Sequence, residues 1–329
     1  MALLWMPMEI ERWFSVGRSK IKNKGPEALN QGWTYREKVD RADVGLTVLA
    51  YYTQRYRHSS EPQWHDRIVS GQILLNGAPT TPETQLQRGE QLTYHRSPWV
   101  EPDAPLDFQV LYEDADLLVV AKPSGLPVLP GGGYLEHTLL WQLKRHYPQE
   151  TPVPIHRLGR GTSGLVLLAR SSLAKTNLTQ QMTDRQMGKV YLALARGVSQ
   201  KDEFSIDRTI GKIPHPVIGY IYGATTEGFF ARSDCRVLQR DADRMLVEVT
   251  ILTGRPHQIR IHLAAAGFPL VGDPLYEIGG IPKLPGDGEA FPVPGDCGYH
   301  LHAYTLSFRH PRSGEAMRVV CPPPEVLQI

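Results

Sequence analysis

The chain has 329 residues, enough for about two domains at the usual ~100–200 residues each. Its 41% hydrophobic and 21% charged residues are a globular balance, with no apolar run long enough to span a bilayer. A net charge of +2 is too mild to argue for nucleic acid by itself, so an RNA partner would need positive charge concentrated locally.

The start, MALLWMPMEIERW, has no basic leader and no small-residue cleavage site, so no signal peptide is expected. Cys235, Cys297 and Cys321 are odd in number and lack metal spacing, which predicts reduced thiols in a cytoplasmic setting. Residues 1–33 show no periodicity. Lys20, Lys22 and Lys24 precede Gly25-Pro26, and a solvated, flexible extension is favoured over a basic RNA-touching arm.

Residues 34–98 read as a small separate α/β module. Leu46, Leu49 and Ala50 have helical spacing, and Trp64 and Ile68 mark a second short helix stopped near Gly71. Ile73 and Leu75 alternate towards Asn76-Gly77, the strongest short hairpin signal, and Leu92 and Tyr94 continue as a strand. The pattern GLTVLAYY, WHDRIVSGQILLNG, LQRGEQLTYH resembles the alpha-L RNA-binding motif, in which two helices and a β-hairpin grip structured RNA. That resemblance makes Arg67, with Arg55 and Arg57, the candidate RNA contacts; a non-binding cap is the other reading.

EPDAP lies within a linker expected over 99–106, and the larger domain is expected over 107–329. Leu117–Ala121 reads as a buried strand ending in Lys122-Pro123-Ser124-Gly125, and Thr138–Tyr147 as a helix. IHRLGRGTSGLVLLAR follows at 155–170: two basic side chains, a small-residue turn, then an apolar strand. Ser171 or Ser172 caps a helix expected to reach Gln186, with Gly188 as its stop. KVYLALAR alternates as a strand; 198–233 reads as an irregular β insertion; Met245 to Ile251 alternates again. TGRPHQIRIHL then opens a helix with Pro256 in its first turn and Ile259, His262, Leu263 and Ala266 as a core-facing stripe. Tyr304–Phe308 and Met317–Cys321 are closing strands. Many strands with few helices predict an α+β domain on a mixed, largely antiparallel sheet with flanking helices.

Arg255, His257, Gln258, Arg260 and His262 crowd one helix start, where amides and arginines attract anions. Arg260 lies beside the apolar stripe, and a buried arginine needs a carboxylate or phosphate partner. His257 with His262, and His300 with His302, lack acidic or thiol partners at suitable spacing, so structural histidines are favoured over a metal site.

Four segments, VLYEDADLLVVAKPSGLPV, HRLGRGTSGLVLLAR, GKVYLALARG and LTGRPHQIRIHLAAAGFPLVGDPLY, and the closing YHLHAYTLSFRHPRSGE resemble the RluA-type pseudouridine synthases in order and spacing over about residues 107–323. The resemblance implies a mixed-sheet catalytic core, RNA (rRNA or tRNA) as partner, a monomer, and no cofactor or metal. It implies base flipping, attack by an aspartate in HRLDxxTSG, cleavage of the glycosidic bond and rejoining through C5. Carried over, Arg157 helps extrude the uridine, Tyr191 stacks on it, and Arg260 is the aspartate's partner with Ile259 behind. Lys189, Arg160, Arg255, His257 and Gln258 are placed on the RNA side.

The nucleophile does not carry over, because Gly159 stands where the family has its aspartate. Losing a covalent nucleophile costs roughly a millionfold in rate. No spacing argument brings Asp184 or Asp273 beside Tyr191 and Arg260; Asp273 reads as structural. Two readings stay open: a pseudouridine synthase with an unusual site, or a catalytically silent RNA-binding protein on the same fold. A hydrolase has no visible nucleophile–base pair. Without its expected partner, Arg260 needs another anion, and RNA phosphate is one candidate.

Overall fold

The computed structural model describes residues 28–216, 218–283, 285 and 291–328. Most of the extension expected over 1–33, including its three lysines, lies outside the described residues. The described residues fall into two compact units, one from those of 28–101 and 214–220, the other from those of 102–213 and 221–328.

The smaller unit has a four-stranded sheet in the order Trp33–Lys38, Gln91–Arg96, Ile73–Leu75, Ala78–Pro79, with helices Val48–Arg55 and Glu61–Val69. Thr47 starts the first helix later than Leu46 suggested: its hydroxyl accepts from Ala50 N at 3.1 Å, leaving Leu46 outside. Ser60 and Gln63 form a capping box for the second. Asn76 and Gly77 both take positive φ (51° and 82°), as a two-residue hairpin turn of this hand requires. Trp64, Tyr51, Tyr52, Ile68, Ile73 and Leu92 fill the core.

The larger unit is built on a ten-stranded sheet. Its main path runs Glu203–Asp207, Arg232–Arg240, Arg244–Ile251, Gly188–Arg196, Leu301–Arg309, Ser163–Ala169, Leu117–Lys122, Gln109–Glu113. Ala316–Val320 and Val153–Pro154 add to it off this path. Among the described strands of this sheet the pairings are antiparallel, except where Leu301–Arg309 meets Ser163–Ala169 in parallel, with His302 opposite Ser163 and Ala303 opposite Gly164. This is the mixed, largely antiparallel sheet that the strand-rich pattern predicted. Gly164 is required at the seam: φ is +105°, and a Cβ there would stand 2.3 Å from the Ala303 carbonyl oxygen.

Leu117–Val120 and Leu165–Ala169 are buried as continuous runs because apolar partners cover them, among them helices Leu139–His146 and Ser172–Thr183. Ser172–Thr183 stops earlier than Gly188 implied. Asp184 is its C-cap, and Arg185 turns left-handed (φ 58°) directly after it. Helix Gln258–Ala265 also differs from the expected single stripe. Ile259 and Leu263 join one core cluster, Ile261 and Ala264 another, so residues 258–264 are buried on every side. The three cysteines are free thiols.

Candidate active site

The loop His156–Thr162 leads into strand Ser163–Ala169 and is held on both flanks. On one, Ile155 N donates to the Leu167 carbonyl (2.9 Å) and Leu167 N to His156 Nε2 (3.1 Å). On the other, the Lys122-Pro123-Ser124-Gly125 turn clamps it. Lys122 Nζ donates to the carbonyls of Arg160 (3.2 Å), Pro123 (2.8 Å) and Leu126 (2.7 Å). Ser124 Oγ donates to the Gly161 carbonyl at 2.7 Å, and Gly125 N to that of Arg160 at 2.8 Å. Lys122 is 1% exposed, and burial pushes its ammonium down to about 7. The sequence marked this turn as a strand end within a family-like segment and assigned it no contact with the loop.

The sheet brings Tyr191 close to the loop's strand. Gly164 pairs with Ala303, and Ala303 pairs with Tyr191 on the next strand. Tyr191 packs against both main core clusters, and burial raises its phenol to about 12. Lys189, two residues earlier, sets its Nζ 3.7 Å from Met182 Sδ; a Cβ on Gly254 would also lie 3.7 Å from it. This draws the Thr253–Pro256 segment to the same region.

Arg260 reaches a different partner from the one expected. Its Nε donates to Asp273 Oδ2 and its Nη2 to Asp273 Oδ1, both at 2.7 Å, a bidentate pair whose side chains are 3% and 1% exposed. The buried charge is neutralised within the chain, and RNA phosphate is not needed for that. Burial alone would raise the Asp273 carboxyl, but Arg260 and the amides of Leu275 and Tyr276 outweigh it and hold the carboxyl below its ordinary range. Both Asp273 oxygens are occupied and shielded from solvent, so Asp273 is the arginine's anchor and not a spare nucleophile. Asp184 is exposed at a helix end, bound to Gln180 Nε2. One donor of Arg260, Nη1, has no partner among the described residues.

Gly159 is exposed on its outer side. A Cβ there would stand 3.1 Å from Tyr299 Oη and 3.5 Å from Thr162 Oγ1. Tyr299 is 4% exposed and lies face-on to Arg260, whose guanidinium carbon is 4.1 Å from the ring centroid. A cavity of about 240 Å³ opens beside this corner, bounded in part by Ser124, Gly161, Tyr299 and His300. Tyr299 opens a closing segment that fits the family, but the sequence assigned it no role, because it reaches Thr162 across 137 residues.

The other predicted contacts divide. Arg157 is exposed, and its charge is felt at His257. His257 sits in a left-handed conformation (φ 54°) with its Nδ1 2.7 Å from Tyr276 Oη. Burial first, then the charges of Arg260 and Arg157, hold its imidazole down to about 3. Arg160 is committed to the Gly295 carbonyl (2.6 Å) and Tyr134 Oη (2.7 Å), and Arg255 to the Phe230 carbonyl (3.1 Å). Gln258, expected on the RNA side, is turned inward at 3% exposure. Its Oε1 accepts from Thr253 Oγ1 and Arg255 N, and its Nε2 donates to the Arg232 carbonyl and Ser233 Oγ. It braces the Thr253–Pro256 turn. In the smaller unit, Arg67 Nη1 donates to Ser59 Oγ at 2.8 Å and its guanidinium lies 4.4 Å from the Trp64 ring centroid. Arg55 is paired with Asp43 at 3.1 Å, which thins that basic face.

His262 and His302 make separate contacts within the protein. His262 Nδ1 lies 2.9 Å from Ser233 Oγ and its Nε2 3.1 Å from the Arg208 carbonyl. His302 bridges Ser163 Oγ and the Cys321 carbonyl. Among the described residues, no group of three or more His, Cys, Asp or Glu side chains is placed to hold a metal ion. No helix among them is long and apolar enough to cross a membrane.

Residues 116–265 match the RNA pseudouridylate synthase family. An uncharacterized RNA pseudouridine synthase of Synechocystis sp. is 47% identical over 85% of this chain and 95% of its own length. The ribosomal large subunit pseudouridine synthase D of Neisseria meningitidis (serogroup A) is 34% identical over 84% of this chain and 75% of its own. Among solved structures, human RNA pseudouridylate synthase domain containing 1 aligns with a TM-score of 0.53 at 27% identity, covering 69% of this chain and 89% of that one.

Proposed function

The chain belongs to the RNA pseudouridylate synthase family, and on that premise we propose that it isomerises a uridine of structured ribosomal RNA to pseudouridine. The observation that carries this reading is the arrangement at the parallel seam. The His156–Thr162 loop is clamped from two sides, Tyr191 lies two strands away, and Arg260 is fixed by Asp273. The relatives named as synthases favour it over a silent RNA-binding role. Ribosomal RNA is preferred as substrate because the Neisseria relative is named for the large ribosomal subunit.

The division of labour follows from exposure and charge. Arg157 is exposed on the loop, free to enter the helix stack and contact phosphate as the uridine leaves it. Unstacking costs a few kcal/mol, and an aromatic face inside the site returns part of that. Tyr191 offers that face. Arg260 cannot leave Asp273, so it acts as a fixed positive charge beneath the reacting sugar, pre-oriented before RNA arrives. Ile259, 4% exposed, packs behind it.

Incubation of the protein with unmodified transcripts of large-subunit rRNA and of tRNA, followed by nucleoside chromatography, tests the reading. Pseudouridine is expected in the rRNA transcript at a discrete site. Its appearance in tRNA alone would move the substrate to tRNA; its absence from both would contradict the proposed activity.

A further inference from the structure

The place of the missing side chain is occupied from below. Within 4 Å of a Cβ built on Gly159, the atoms met are Tyr299 Oη at 3.1 Å and Thr162 Oγ1 at 3.5 Å. A Cβ on Gly161 would meet the Tyr299 ring itself, 2.9 Å from Cζ. The small residues at 159 and 161 therefore make room for one tyrosine, whose hydroxyl lies where a carboxylate growing from position 159 would begin. The same ring lies 4.1 Å from the guanidinium carbon of Arg260, whose Nη1 has no hydrogen-bond partner among the described residues. Arg260 thus faces Asp273 through hydrogen bonds, the Tyr299 ring closely, and the Tyr276 ring at 5.1 Å.

Both oxygens of Asp273 are taken up by Arg260, and Asp184 is bound to Gln180 at an exposed helix end. Of the two oxygens at Gly159, the threonine hydroxyl bonds to Tyr299 Oη and would leave an alkoxide, whose charge has no ring to spread into. The tyrosine oxygen can spread negative charge into its ring, next to a fixed cation. Tyrosine is also among the side chains that form covalent intermediates, including at the sugar carbon in some glycosidases.

We propose that Tyr299 is the nucleophile of this site, its phenolic oxygen standing in for the carboxylate absent at Gly159. The proposal rests on the reading that the chain isomerises uridine. The Oη–C1′ bond forms as C1′–N1 breaks; that electron pair leaves with uracil, and the phenolic proton passes to the uracil. The freed ring turns to present C5. Its C5–C6 pair attacks C1′, the C1′–Oη bond breaks, and the pair returns to the phenolic oxygen. The C5 proton is lost to solvent, and a solvent proton restores the phenol. Atoms and electrons balance with no further reactant. Because burial raises the Tyr299 phenol despite the opposing charge of Arg260, it is protonated before attack, so the proton must leave during the first step.

The test follows tritium released from RNA labelled at uridine C5, with RNA affinity by filter binding and the urea midpoint as controls. Tyr299→Phe keeps the ring on Arg260 and removes only the hydroxyl. It is expected to lower release at least about a thousandfold, with affinity and midpoint close to wild type. Thr162→Ala is expected to retain most of the rate. Gly159→Asp combined with Tyr299→Phe gives a carboxylate the vacated space and is expected to exceed Tyr299→Phe alone at least about a hundredfold. Release by Tyr299→Phe within about tenfold of an active wild type would overturn the proposal while leaving the isomerase reading intact. No gain in the double variant would show that the hydroxyl does not occupy the nucleophile's place. A wild type that releases nothing from any RNA would overturn the isomerase reading, and this proposal with it.

Discussion

At Arg260 a buried charge is made tolerable by one carboxylate. Removing one partner of a buried pair strands the other and typically costs about 3–5 kcal/mol, whereas replacing both by apolar groups is often neutral. Asp273→Asn should therefore lower the urea midpoint strongly, while Arg260→Met with Asp273→Leu recovers most of it and remains inactive. A single substitution costing under about 1 kcal/mol would show that the pair is not the anchor described. Gly159 was legible in the sequence because the motif around it is intact. What replaces it was not: Asp273 pairs with Arg260 across 13 residues and Tyr299 reaches Thr162 across 137, and these contacts exist only once the sheet has formed.

The parallel seam depends on one backbone conformation. Gly164 combines a φ of +105° with a would-be Cβ 2.3 Å from the Ala303 carbonyl oxygen. Gly164→Ala should cost about 3 kcal/mol or more and push Ser163–Ala169 away from Leu301–Arg309, separating Gly159 from Tyr299. A variant that keeps wild-type stability would mean that the two strands slide apart freely. Element existence was readable from apolar runs and hairpin signals; several ends were not. Ser172–Thr183 stops at a left-handed Arg185, a conformation that few non-glycine residues adopt and that sequence does not announce. The helix Gln258–Ala265 looked one-sided because periodicity reports only one face, while the structure packs it between two clusters.

Across the whole molecule, several imidazoles are held neutral by burial. His156 is pushed down to about 4 and His257 to about 3 from an ordinary 6.5, and His262 and His302 shift the same way. The unfolded chain binds protons to these groups first, so their contribution is complete above pH 6.5 and is lost as pH falls towards 4. Each group adds up to about 1.4 kcal/mol per pH unit in that window. The urea midpoint should fall steeply between pH 6.5 and 4.5, and less steeply in His156→Gln; a flat profile would place the acid sensitivity elsewhere. Fold class and family were legible in the order of the motifs, because a mixed sheet of this kind is written in its strands and glycines. Net charge carried little, since the charges that matter are local. Arg160 and Arg255 bond to carbonyls of the protein, and Gln258 is turned inward.

The central claim is that this chain isomerises uridine without a carboxylate at position 159. Tritium release by the wild-type protein from large-subunit rRNA labelled at uridine C5 measures it directly. Release beyond one equivalent of enzyme, matched by pseudouridine in the product RNA, is the predicted result; release no greater than that of heat-inactivated protein would contradict the account.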